Sequence, residues 1–312
     1  MTTWPGVEVW RGGVNTWECD EMGHMNVRFY GVAAMQGLAG LAAELGMPQA
    51  FAADAGATLM VREQHIRFMR EARAGAALYM TAGVVEMGKD EARLLLLLVH
   101  ADTGALAASF QIVVAHVTAR DARPFPWPAR TRERAAALTV AVPKEAQARG
   151  LSLDPVRSRA SVARADELDL TRIGLGAFAP QDCDVFGRAG AEQFIGKVSD
   201  GVGTLVHGFR ATVVEHAPPT SGEIGGAVVE YRLLYLDWPR AGARFDIRSG
   251  LVGANDKVMR MVHWMLDPQS GRPWGVSEVV AVTFDLQTRK VIPITEAAHA
   301  VLMGQAKVGL AL

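Results

Sequence analysis

The chain carries the same unit twice, and this duplication limits the fold more than any composition figure. "ECDEMGH", Glu18 to His24, is answered by "DCDVFGR", Asp182 to Arg188: an acid, Cys, Asp, two variable residues, Gly and a basic residue recur in order, 164 positions apart. The register continues downstream. "RAGA" at Arg73–Ala76 returns at Arg240–Ala243, and the turn ending at Gly104 returns at Gly271, both 167 positions on. A drift of three residues is what a small loop insertion produces. A repeat of about 150 residues is the length of a whole domain, not of a solenoid unit. The sequence therefore predicts a tandem duplication, with one domain over 1–150 and a second over 151–312. The prolines at Pro124, Pro126 and Pro128 and the Arg/Ala-rich stretch after them read as a connector with some helix.

Each unit has the same coarse order. In the first, "GVEVWRGGV" reads as a strand, and "VRFYGVAAMQGLAGLAAELG" supplies apolar and small residues for a long helix that stops at Gly46. Four apolar runs follow, "ATLMVREQHIRFM", "ALYMTAGVVEM", "EARLLLLLVHA" and "LAASFQIVVAHV", separated by turn-forming residues. The second unit repeats this with "AEQFIGKVSDGVGTLVHGF" as one helix and four strands from Ala227 to Phe284. One long helix followed by an antiparallel sheet is an α+β arrangement.

Composition removes several functions. With 32 Lys and Arg against 33 Asp and Glu, nothing in the net charge favours nucleic acid or a membrane surface. The longest apolar run, Leu94–Val99, is far short of the roughly 20 residues of a membrane helix and reads as a buried strand. "MTTWPGVEVW" lacks the basic-then-apolar order of a secretory leader, so a cytoplasmic protein with two reduced cysteines, Cys19 and Cys183, is expected.

The order V-x-x-x-(acid)-x-D-x-x-G-H-x-N-x-x-x-Y, formed by Val14, Glu18, Asp20, Gly23, His24, Asn26 and Tyr30, resembles the signature of hotdog-fold acyl-CoA thioesterases of the 4-hydroxybenzoyl-CoA thioesterase type. The resemblance extends to both halves and implies two tandem hotdog domains, each a long helix wrapped by a curved antiparallel sheet, forming an internal pseudo-dimer open to further oligomerisation. It implies an acyl-CoA substrate and no cofactor. It also gives the residue matching Asp20 the role of general base or nucleophile towards the thioester carbonyl. The physical logic holds independently. Thioester hydrolysis builds negative charge on the carbonyl oxygen, and a helix start offers unpaired N–H groups and a positive dipole end, expected here around Gly23 to Met25. The second copy keeps Asp184 and Gly187 but has Arg188 and Gly190 where His24 and Asn26 stand.

Each residue also has a plainer role. Asp20 alone would be a helix cap; the full motif makes it the working carboxylate. His24 is expected to orient Asp20 or line the pocket. Asn26 divides between helix cap and substrate contact, Tyr30 between core and pocket wall. His65 lies on a strand that borders the acyl pocket in this fold, although simple packing is the favoured reading. Asp184 would centre a second pocket that hydrolyses weakly, binds or serves only as scaffold, and Glu192 sits where the helix dipole favours a carboxylate. A metal set from Glu18, Cys19, Asp20 and His24 mixes hard and soft ligands without a known spacing, so none is expected. A thiol nucleophile at Cys19 or Cys183 is disfavoured by the flanking carboxylates. CoA phosphates would need basic side chains, of which Arg62, Arg67, Arg70, Lys89 and Arg93 are available without one standing out. Two other functions remain: a hotdog enoyl-CoA hydratase or dehydratase, whose usual Asn-Pro element "DEMGH" lacks, and a non-catalytic acyl-CoA-binding module.

Overall fold

A computed structural model describes residues 3–220 and 222–312; the first two residues of the N-terminal stretch read above lie outside it. The chain divides into two compact units. Unit 1 comprises residues 1–148 together with 181–195, and unit 2 comprises 149–180 with 196–312. The division is not a single cut near Gly150: the second copy of the motif belongs to the first unit.

In unit 1 five antiparallel strands run in the order β1-β3-β4-β5-β2: β1 (Val7–Gly13), β2 (Ala57–Phe68), β3 (Ala77–Met87), β4 (Glu91–His100) and β5 (Leu106–Thr118). The Leu94–Val99 run is the buried middle of β4. Helix α1 (Val27–Glu44) carries no charge between Arg28 and Glu44, and buries Tyr30, Ala33, Ala34, Gly37, Leu38, Leu41 and Ala42 at helical spacing. It ends in a Schellman arrangement: Gly46 takes φ +84°, its N–H donates to Ala43 O at 2.9 Å, and Met47 N–H donates to Ala42 O at 2.8 Å. The helix lies close on the sheet because its contacts are glycines. A Cβ built on Gly40 would fall onto the Val9 carbonyl oxygen, and one on Gly37 onto the Met80 sulfur. A short helix, α2 (Ala129–Ala137), follows the proline cluster.

Unit 2 repeats the sheet as β7-β10-β9-β8-β6: β6 (Thr171–Ala177), β7 (Ile224–Tyr235), β8 (Arg244–Ala254), β9 (Met259–Leu266) and β10 (Pro273–Asp285). The duplication reaches the hydrogen bonds. Gly75 N–H donates to Val14 O and Gly242 N–H to Phe178 O, both at 2.8 Å, with φ +86° and +85°. The bulge of β3 between Val84 and Glu86 returns in β8 between Leu251 and Gly253. The three extra residues fall between the helix start and the next strand.

There the expected single helix is two, α4 (Ala191–Gly201) and α5 (Gly203–Glu215). The glycines on either side of Val202 are poor helix formers, and Gly201 is pressed onto the Ile173 carbonyl. Strand β6, with two glycines in seven residues, and helices α3 (Val162–Glu167) and α6 (Glu296–Gln305) were not anticipated from the sequence.

Side chains on the sheet faces turned away from the helices clamp the connecting chain. In unit 1, Arg67 donates to Glu145 O and Gln147 O at 2.9 and 3.1 Å, and Gln111 to Ala146 O at 2.9 Å. In unit 2, the buried Glu230 carboxylate accepts the N–H groups of Arg149 and Gly150 at 2.9 and 2.6 Å, and Arg232 donates to Ser152 O and Asp154 O, both at 2.8 Å. Glu230→Ala is expected to lower unfolding free energy by about 3 kcal/mol, since two charge-assisted bonds are lost and two N–H groups lose their acceptor. Urea denaturation of the full chain measures it, and a change under about 1 kcal/mol would show the clamp to be idle.

Burial also sets a pH dependence. His263 on β9 is fully buried, which pushes its imidazole down to about 4. Its folded value lies below the ordinary one, so the unfolded chain takes the proton first. Stability from this group is complete above about pH 6.5 and declines as pH falls towards 4, by about 3 kcal/mol in all. Comparing wild type with His263→Leu by urea midpoints at pH 7 and 4.5 isolates that share: the variant is expected to lose less stability on acidification.

Candidate active site

The motif residues 18–26 close on themselves as a tight loop. Asn26 N–H donates to Glu18 O at 2.8 Å, Asp20 N–H to His24 O at 2.8 Å, and Gly23 N–H to Asp20 O at 2.9 Å. Gly23 turns the tip with φ +73°, a conformation other residues adopt at a cost. The Asp20 carboxylate braces the inside: Oδ1 accepts from Met22 N–H at 2.9 Å and from His24 N–H at 3.0 Å. Oδ2 has no hydrogen-bond partner among the described residues. One oxygen thus fixes the group and the other stays open.

The helix that follows is capped by Asn26, whose Oδ1 accepts Arg28 N–H at 2.9 Å, so of its two expected roles the capping one is occupied. The N–H groups of Gly23, His24 and Met25, where oxyanion donors were expected, are each committed within the protein. Gly23 and His24 donate to Asp20, and Met25 donates to Ala72 O at 2.8 Å. The first N–H of α1, that of Val27, has no acceptor among the described residues. An uncommitted donor at the positive end of a helix of 18 residues is the feature a developing oxyanion needs.

The His24 side chain does not reach Asp20 as expected; only its backbone does. The ring is buried, with Nε2 at 3.1 Å from both Glu71 Oε2 and Arg73 Nη2. That one nitrogen can donate to the carboxylate or accept from the guanidinium, so the ring is held in either tautomer. Tyr30 is core: its ring meets Phe68 edge-on at 5.2 Å and its hydroxyl accepts Ala72 N–H at 3.2 Å. Burial pushes its phenol up to about 12, so it stays protonated. The motif thus grips residues 71–73 through His24, Met25 and Tyr30. Glu71 and Arg73 were missed from sequence, although Arg73 opens the repeated "RAGA".

His65 does not face the helix. Gly37 of α1 packs towards Met80 and Leu96, while His65 pairs with Gln111, which pairs with Leu95 on the opposite side of the sheet. It lies with Gln111 and Arg67 under the connecting chain, buried, and takes no part in a site beside α1.

The second loop is a near copy with a different charge arrangement. Asp184 Oδ1 accepts Phe186 N–H and Arg188 N–H at 2.8 and 3.0 Å, and Gly187 has φ +75°. Here, however, the second carboxylate oxygen is taken: Arg188 Nε lies 3.4 Å from Asp184 Oδ2, and the guanidinium covers the Phe186 ring at 4.7 Å. Gly190 offers no capping side chain, and the Glu192 carboxylate lies directly over its Cα. A negative group at that helix start repels an oxyanion. Arg28, at the matching position of α1, donates to Gln193 Oε1 at 2.9 Å and so ties the first turn of α1 to that of α4.

Among the described residues no group of three His, Cys, Asp or Glu side chains converges on one point, both cysteines are free thiols, and no helix is long and apolar enough to cross a membrane.

Comparison with known proteins agrees with this architecture. The family model described as the thioesterase-like superfamily matches twice, over residues 14–135 and 178–302. Among solved structures, a putative oleoyl thioesterase from Lactobacillus plantarum matches at TM-score 0.62 and 12% identity, over 87% of this chain and 94% of that one. An acyl-ACP thioesterase from Bacteroides thetaiotaomicron matches at TM-score 0.59 and 9% identity, over 87% and 96%. The 12:0-ACP thioesterase from Umbellularia californica matches at 0.58 and 11%, over 88% and 93%. At these identities the likeness is one of fold. No curated protein matches the chain. With the family matched across both halves and the fold shared over 87% of the chain, the chain belongs to the thioesterase-like superfamily as a tandem double-hotdog thioester hydrolase.

Proposed function

We propose that the chain hydrolyses an acyl-CoA thioester to the free acid and CoA at a single site in the loop 17–30. The observation that carries this reading is the state of the Asp20 carboxylate, anchored through Oδ1 by two backbone N–H groups with Oδ2 left open. Oδ2 removes a proton from the attacking water, or attacks the carbonyl carbon itself to give a mixed anhydride that water then opens. In both routes the thioester oxygen gains charge and takes the Val27 N–H, and the C–S bond breaks to release the thiol. Gly23, His24, Met25, Asn26 and Tyr30 hold the loop. Asp184, neutralised by Arg188, and Glu192 are scaffold in this reading.

The test is thiol release from short, long, aromatic and branched acyl-CoAs. The same acyl groups are also offered on acyl carrier protein, because two of the similar structures are named as acyl-ACP thioesterases. Turnover of at least one acyl-CoA is expected. Binding of acyl-CoA with no thiol released from any of them would contradict the proposal and favour a binding module.

A further inference from the structure

Unit 2 contains a buried polar row that the loop chemistry does not use. Ser249 on β8 and Ser277 on β10 both stand directly opposite His263 on β9. Ser249 Oγ lies 2.8 Å from His263 Nδ1, and Tyr231 on β7 places its hydroxyl 3.1 Å from Ser277 Oγ. All four are at most 2% exposed. They share a face with Met261 and Met265, because side chains alternate along a strand. The opposite face, bearing Val262 and Trp264, is sealed by an apolar cluster with Ala165, Leu170 and Leu310. The row looks towards the helices, the side on which Lys197 of α4 meets the ring of Phe245.

Positions 167 residues earlier in unit 1 are Ala82, Leu96 and Phe110, all fully buried and apolar, with α1 packed onto Leu96 through Gly37. In unit 2 the same places hold serine, histidine and serine, and α5 packs against β6 and α6. Nε2 of His263 has no hydrogen-bond partner among the described residues. Whichever of Ser249 Oγ and Nδ1 donates to the other, Nε2 is left as an unused lone pair or an unused N–H. An unused polar atom on a side chain only 2% exposed is rare in proteins and calls for a partner. The fold plainly accepts a leucine there, since its own first unit uses one.

We propose that the helix-facing side of β8–β10 is a binding site, separate from the motif loop, for an uncharged molecule with an oxygen on an apolar body, such as a phenol, alcohol or ketone. His263 Nε2 meets the oxygen, Ser249 fixes the ring behind it, and Met261 and Met265 supply adaptable apolar walls. The serines and tyrosine of the row carry no formal charge, and the imidazole is neutral, so a charged ligand finds no counter-ion in the row itself.

The experiment titrates the full chain, labelled with 15N-histidine, with phenol and separately with toluene as its apolar isostere. Phenol is expected to shift the His263 Nε2 resonance saturably and to raise Tm, with toluene at least tenfold weaker. The effect should be the same in Asp20→Asn, which keeps this site intact. The double substitution Ser249→Ala with His263→Leu installs the residues of unit 1 and is expected to fold and to lose the phenol-dependent rise in Tm. The proposal is overturned if phenol moves neither readout, if toluene binds equally well, if the double variant responds as wild type does, or if the response vanishes in Asp20→Asn. Should the double variant not fold, the phenol-against-toluene comparison on the wild type decides.

Discussion

Asp20→Asn is expected to fold like the wild type and to lose about a thousandfold in kcat for the best acyl-CoA, the scale of losing a positioned base or nucleophile. The amide keeps an oxygen for the N–H groups of Met22 and His24, so the loop retains its brace. What disappears is the open, charged Oδ2. Equal circular dichroism and Tm with collapsed thiol release would separate chemistry from stability. A loss under tenfold would mean the carboxylate only shapes the turn, as aspartates before helices commonly do.

A second large effect lies in the backbone contacts of α1. Gly40→Ala is expected to destabilise by about 3 kcal/mol, because the new methyl group meets backbone, the Val9 carbonyl of β1, and not the flexible end of a side chain. Gly37→Ala, one helical turn earlier on the same face, should cost no more than about 1.5 kcal/mol. Its obstacle is the Met80 thioether, which can swing aside, with Leu96 Cδ2 at 3.3 Å taking up the remainder. Urea unfolding of both variants checks the ranking. If Gly37→Ala proved the costlier, α1 would be held by side-chain packing and not by backbone approach.

Much of this was legible in the sequence, because strand boundaries follow apolar runs and the duplication supplied each feature twice. The runs at 57–69, 77–87, 91–101 and 106–117 became β2 to β5 almost residue for residue. Features depending on which way one side chain points were not legible. The run holding His65 is buried on both faces, and a bulge between Val61 and Glu63 shifts its register, so periodicity could not say that His65 looks away from α1. The replacement of His24 by Arg188 was visible as erosion. That it closes off Asp184 required knowing that the arginine folds back onto its own loop. That the N–H groups of residues 23–25 are already committed was hidden for a similar reason: Asp20 takes those of Gly23 and His24 and Ala72 O takes that of Met25, and only a hydrogen-bond map leaves Val27 over.

The inequality of the two loops is tested most directly by thiol release from Asp184→Asn measured beside Asp20→Asn. An anchored and open carboxylate in one loop, and an anchored and neutralised one in the other, predict kcat within about threefold of wild type for Asp184→Asn and a collapse for Asp20→Asn alone. Equal losses in the two variants, or the larger loss at Asp184, would contradict a single working site at Asp20.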